Sequence, residues 1–201
     1  MQKKAILQAE FYTHRTMWDH AQTLRELTGI EAQNPASLNL AALILLYFAL
    51  EGYLNYLLET AFPDTWHQEK TFFSKPPYNG TLGKLRYLRE QLGIVSDKGD
   101  RPNHTVKRLT RLRHSIVHPR VEKQEKQVAF SDPRRLKDLE SKLLCEANEK
   151  FLAMAFDDME QICDKLQAEA LRQCRRGIYG PKAFVGIIGL RGGKILSESA
   201  T

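Results

Sequence analysis

Apolar positions along this chain recur mainly at the three-to-four-residue spacing of an amphipathic helix. Ile6, Phe11, Met17, Trp18, Ala21 and Leu24 place a first helix over Ala5–Leu27, broken by Gly29, Asn34 and Pro35. Ser37 is a plausible N-cap for a second helix, Leu38–Phe62, which is apolar nearly all round and therefore expected at the centre of a bundle. Pro63 and Asp64 end it. Residues 64–80 read as irregular, with Trp66, Phe72, Phe73 and Tyr78 available to pack the loop down. Thr81 caps a short helix to Leu92 that stops at Gly93, and a fourth helix spans His104–Val117. Pro119 disfavours helical backbone at His118. Val121–Phe130 is polar and β-tolerant, a loop or hairpin arm. Ser131-Asp132-Pro133 is a helix start, and the stripe Leu136, Leu139, Leu143, Ala147, Phe151, Met154, Ile162, Leu166, Ala170 continues it to Arg176, with Asp158 as the place to bend or split. The expectation is an all-α, up-and-down helical bundle over residues 1–176. A glycine-rich tail or arm follows over 177–201, with Val185, Ile187, Ile188 and Leu190 as β-like content.

Composition narrows the class. Hydrophobic residues make up 42% and charged residues 27%, as in ordinary globular proteins. Cys145, Cys163 and Cys174 show no metal-site spacing and read as reduced thiols, which fits a cytoplasmic setting. The basic start, Met1 to Lys4, is not followed by an apolar core, so no signal peptide is expected. Leu40–Leu50 is about half the length of a membrane span and reads as a buried core helix, so no membrane partner is expected. The formal net charge is +6. Arg101, Lys107, Arg108, Arg111, Arg113 and Arg120 all fall in one window that contains no Asp or Glu, a pattern suited to a polyanion.

That window holds the informative segment, Arg111-Leu112-Arg113-His114-Ser115-Ile116-Val117-His118-Pro119. Metal-free RNA cleavage needs a proton carrier near neutral pH, for which histidine is the best suited side chain. It also needs a fixed cation on the phosphoryl oxygens, which the planar arginine fork supplies. A regular helix does not put residues 113 and 118 on one face. A helix that ends before Pro119 lets His118 turn back toward Arg113, or toward the same pair on a second subunit.

Arg113 to His118 followed by Pro119 resembles the Arg-x(4–6)-His motif of the HEPN family, with His114 where the family often carries a polar residue such as Asn. Ala49-Leu50-Glu51-Gly52-Tyr53-Leu54-Asn55 is similar to that family's apolar helix with embedded polar positions. The resemblance in helical layout covers roughly residues 5–175, and only the short motif is specific. It implies a HEPN-like helical bundle that forms a homodimer with a composite Arg/His cleft. It further implies a metal-independent endoribonuclease acting on RNA, of the kind found among toxins and defence effectors, with an antitoxin or other regulatory protein as partner. In those terms Arg113 is the transition-state clamp and His118 the general acid/base. Glu51, Asn55 and His114 are supporting residues, and Lys107, Arg108, Arg111 and Arg120 phosphate contacts.

No cofactor and no metal are expected. His114 and His118 have metal-ligand spacing, but no carboxylate lies between them and Pro119 disrupts the helix at the second. The plain alternative for Arg113 and His118 is a helix-terminal histidine near the last carbonyls and a surface arginine. For Glu51 and Asn55 it is mutual bonding inside the bundle. Tyr47, Tyr53, Trp18 and Phe48 read as core, with Tyr53 as a candidate base-stacking ring. The competing functional class is a catalytically silent HEPN-like RNA- or nucleotide-binding or scaffold protein.

Overall fold

The computed structural model describes residues 5–29, 34–95, 101–119, 121, 141–174, 177–186 and 189–195. The chain is mostly α-helical. The elements run β1 (Ala5–Phe11), α1 (Thr13–Thr28), α2 (Pro35–Ala61), the single turns α3 (Pro63–Trp66) and α4 (Glu69–Phe72), α5 (Gly80–Gln91), α6 (Asn103–Val117), α7 (Lys142–Glu146), α8 (Glu149–Cys174) and β2 (Gly189–Ile195).

Helix α2 is the axis of the bundle, and α1, α5, α6 and α8 all pack on it. Its start lies three residues before the expected one. Asn34 is the N-cap, accepting the Ser37 amide at 3.2 Å, and Pro35 occupies the first turn, where a missing N–H costs nothing. At 27 residues it is longer than its central apolar run implies, and it is long and apolar enough to cross a membrane by composition alone. About half of that apolar stretch is buried, with Leu43, Leu46, Leu50, Leu54, Leu57 and Leu58 fully so, while Phe48 is exposed.

Two expectations are corrected. The first helix does not begin at Ala5. Residues 5–11 form a strand antiparallel to β2, in register from Ala5 opposite Ile195 to Phe11 opposite Gly189. Leu7, Ala9 and Phe11 alternate with Gln8 and Glu10, a period of two that outcompetes the looser helical spacing. The helix after residue 141 does not split at Asp158. It breaks at Ala147–Asn148, where Asn148 Oδ1 accepts the Phe151 amide at 2.9 Å and starts α8. Asp158 sits mid-helix, 3% exposed, held by the Arg101 fork at 2.9–3.1 Å and by the Thr105 hydroxyl at 2.5 Å. The predicted helix start at Ser131–Pro133 and the 121–130 arm lie almost wholly outside the described residues.

The tail from Gly177 to Gly186 is packed, with Ile178, Ala183 and Phe184 in the core. The Phe184 ring lies stacked on Trp18 at 4.1 Å between centroids. Beneath it His14 is 2% exposed, its ring stacked on Tyr56 at 5.1 Å. Burial lowers the His14 pKa from 6.5 to about 4; the Arg15 charge adds to the shift and a hydrogen bond with the Ala183 backbone opposes it. The unfolded chain protonates this ring below pH ~6.5, whereas the folded chain does so only near pH 4. The contribution of His14 is therefore fully present above pH ~6.5 and declines as pH falls toward 4, by about 3 kcal/mol at the limit. Urea unfolding is expected to show wild-type stability dropping more steeply between pH 7 and pH 4.5 than that of His14→Gln; parallel profiles would contradict it.

Candidate nucleic-acid interface

Helix α6 buries Thr105, Val106, Leu109 and Leu112 and leaves Lys107, Arg111 and His114 exposed on the other side. The inner spacing of three and four residues fixes the roll of the helix, and the roll fixes which cations face outward. Arg113, one turn beyond Leu109, is half-buried on the flank toward α2. Its guanidinium carbon lies 5.9 Å from the centroid of the Tyr47 ring. Its Nε is buried and has no hydrogen-bond partner among the described residues.

The helix stops after Val117. His118 caps it with φ −120° and ψ 66°, and its amide still donates to the His114 carbonyl at 2.9 Å. One helical bond thus holds His118 a turn beyond His114, and the two rings lie 4.7 Å apart between centroids, tilted by 53°. Both histidines are exposed. Among the described residues no three His, Cys, Asp or Glu side chains come together as a metal site.

The other residues singled out in the sequence separate. Glu51 and Asn55 bond not to each other but across to α5. Glu51 Oε1 accepts the Thr81 hydroxyl at 3.1 Å. Asn55 Oδ1 accepts the Lys84 ammonium at 2.8 Å, and that ammonium also pairs with Glu69 at 2.7 Å. The Lys84 stem is buried, with its ammonium 5.6 Å from both the Trp66 and Phe73 ring centroids. Arg108 turns toward α8, its guanidinium 3.7 Å from the Phe151 ring centroid and donating to the Glu146 carbonyl at 3.2 Å. It braces α6 against the start of α8, whereas Lys107 and Arg111 stand exposed on the open side. Arg120 lies outside the described residues. Tyr53 is fully buried, its hydroxyl 3.0 Å from Gln167 Oε1 and from the Cys163 carbonyl, so it is a core residue and cannot stack a base.

Two residues at this site, Tyr47 in the core and Thr81, make a contact that the sequence pattern does not indicate. Tyr47 read as plain core and Thr81 as a helix cap. Thr81 lies inside the first turn of α5, and its hydroxyl lies 2.7 Å from that of Tyr47. A threonine before a helical run is the ordinary signal for a cap, so nothing in spacing alone points to this contact.

No protein-family model, no curated protein and no solved structure matches this chain.

Proposed function

We propose that this chain is a HEPN-like, metal-independent endoribonuclease working as a homodimer. The observation that supports this most is the end of α6. An arginine whose buried Nε has no acceptor among the described residues sits less than two turns from two exposed, adjacent histidines on a helix whose open face is basic. A buried guanidinium N–H without an acceptor is costly, and the negative charge of a ligand bound beside the fork would offset part of that cost. In the proposed reaction His118 takes the proton of a ribose 2′-hydroxyl, the 2′-oxygen attacks phosphorus, and the 5′-oxygen leaves with a proton from the opposing histidine of the composite cleft. Arg113 receives the charge that builds on the phosphoryl oxygens. Lys107 and Arg111 hold flanking phosphates, which supplies affinity without sequence choice. Exposed Val117 beside His118, and Phe48 beside Tyr47, offer apolar surface for a second copy. The buried free thiol of Cys163 is compatible with a reducing, cytoplasmic setting.

The test is cleavage of a mixed-sequence, end-labelled RNA in excess EDTA by wild type, His118→Ala and Arg113→Ala. Cleavage by wild type alone, with 2′,3′-cyclic phosphate ends, is the expected result. Absence of cleavage, or cleavage by both variants, would overturn the catalytic assignment in favour of a silent binding module.

A further inference from the structure

Arg113 is joined to Glu51 through two intervening side chains. Thr81 donates its single hydroxyl proton to Glu51 Oε1 at 3.1 Å. The 2.7 Å contact between Thr81 Oγ1 and Tyr47 Oη therefore has the Tyr47 hydroxyl as donor. Donation runs from Tyr47 to Thr81 to Glu51 and ends on an anion, crossing from α2 to α5 and back. The middle of this chain is closed to water: Tyr47 is 4% and Thr81 5% exposed. A phenol is protonated at neutral pH, and burial raises the Tyr47 pKa further.

The far side of Tyr47 is its ring, and that is what Arg113 rests against. A guanidinium beside an aromatic ring is attracted to the π-electrons and keeps its N–H donors uncommitted. A phenol that donates toward a carboxylate is richer in ring electrons, so Glu51 strengthens this contact from a distance. A carboxylate placed directly on Arg113 would have the opposite effect. It would take two donors in a bidentate pair and cancel the charge that a phosphoryl group needs. Glu51 lies one helical turn from Tyr47, and its engagement by Thr81 fits a role through the ring.

We propose that Tyr47 and Thr81 are positioning residues for Arg113, the Tyr47–Thr81–Glu51 chain fixing an aromatic seat that holds the guanidinium in place with its donors free for phosphate. This rests on reading Arg113 as the phosphoryl clamp.

The test uses the full chain as wild type, Thr81→Val, Thr81→Ser and Tyr47→Phe, with Arg113→Ala as reference. RNA cleavage in EDTA is expected to lose about tenfold in kcat in Thr81→Val and Tyr47→Phe with KM nearly unchanged, the pattern of a group felt in the transition state. Thr81→Ser, which keeps the hydroxyl, is expected to restore activity. A second readout is independent of cleavage: the Arg113 Nε–Hε resonance in 15N NMR, assigned by its absence in Arg113→Ala. It should shift in Thr81→Val and stay in place in Thr81→Ser. If Arg113→Ala is inactive while Thr81→Val and Tyr47→Phe match wild type, the seat is overturned and the nuclease reading stands. If wild type cuts no RNA, the nuclease reading falls and the resonance decides: a shift in Thr81→Val alone keeps the seat, and no shift removes it.

Discussion

Replacing His118 by alanine is expected to lower RNA cleavage in EDTA by about a hundredfold to ten-thousandfold, the usual contribution of a positioned proton carrier. Stability should be nearly unchanged, because His118 is exposed and its one fixed bond is made by its backbone amide to the His114 carbonyl. Arg113→Ala is expected to lower kcat by about a hundredfold to a thousandfold, and in addition to cost stability through the emptied flank against Tyr47. The two are separable by melting curves recorded beside the kinetics. An RNA-binding measurement adds the third arm. Lys107→Ala and Arg111→Ala should weaken binding evenly across sequences and flatten its salt dependence, while His118→Ala should leave binding intact. A His118→Ala variant that cleaves within threefold of wild type would remove the imidazole from the reaction.

How much of this was legible in the sequence depends on which force decides each position. The run of leucines in α2 and the stripe of α8 speak for themselves, because burial alone sets them. The end of α6 was equally plain: Pro119 limits the residue before it, and the helix closes at Val117. The first strand is not legible because Ile6 and Phe11 suit either period, and what decides is a partner strand at 189–195, roughly 180 residues away. Asp158 looked like a breaker because a lone carboxylate on an apolar stripe is costly, and it is tolerated only because Arg101 and Thr105 reach it from another part of the chain. Glu51 and Asn55 shared one helix face, which suggested one shared task. The structure gives each a different partner on α5, Thr81 and Lys84. Long-range partners of polar groups leave no periodic trace, and the candidate site is built largely from such pairs.

The largest effect on stability is expected from Arg15→Ala, about 3–5 kcal/mol in urea unfolding, with the segment from Gly177 to Gly186 becoming open to proteolysis. Arg15 is 2% exposed, yet it is where the end of the chain is fastened. Its Nη2 donates to the Tyr179 carbonyl at 2.6 Å and its Nε to the Ala183 carbonyl at 3.3 Å, so one planar fork closes a loop from α1 to the tail. The tail can wrap the fork because of two glycines. Gly180 and Gly186 have φ of +86° and +124°, and a Cβ on either would stand 3.3 Å from the guanidinium nitrogens. Alanine at 15 removes the fork from both carbonyls and empties its space against Gly180 and Gly186, although the Ala183 carbonyl keeps its hydrogen bond from His14 and the Tyr179 carbonyl keeps the Gln167 amide at 3.3 Å. Arg15→Lys preserves the charge but has no fork to span two carbonyls, so it should recover only part of the loss. Loss of protection over 177–186 with RNA cleavage retained would show that the clamp and the end of α6 are energetically separate. A cost under about 1 kcal/mol, with the tail still protected, would mean that Phe184 on Trp18 and the Tyr56 hydroxyl between Gly177 and Tyr179 hold the tail without Arg15.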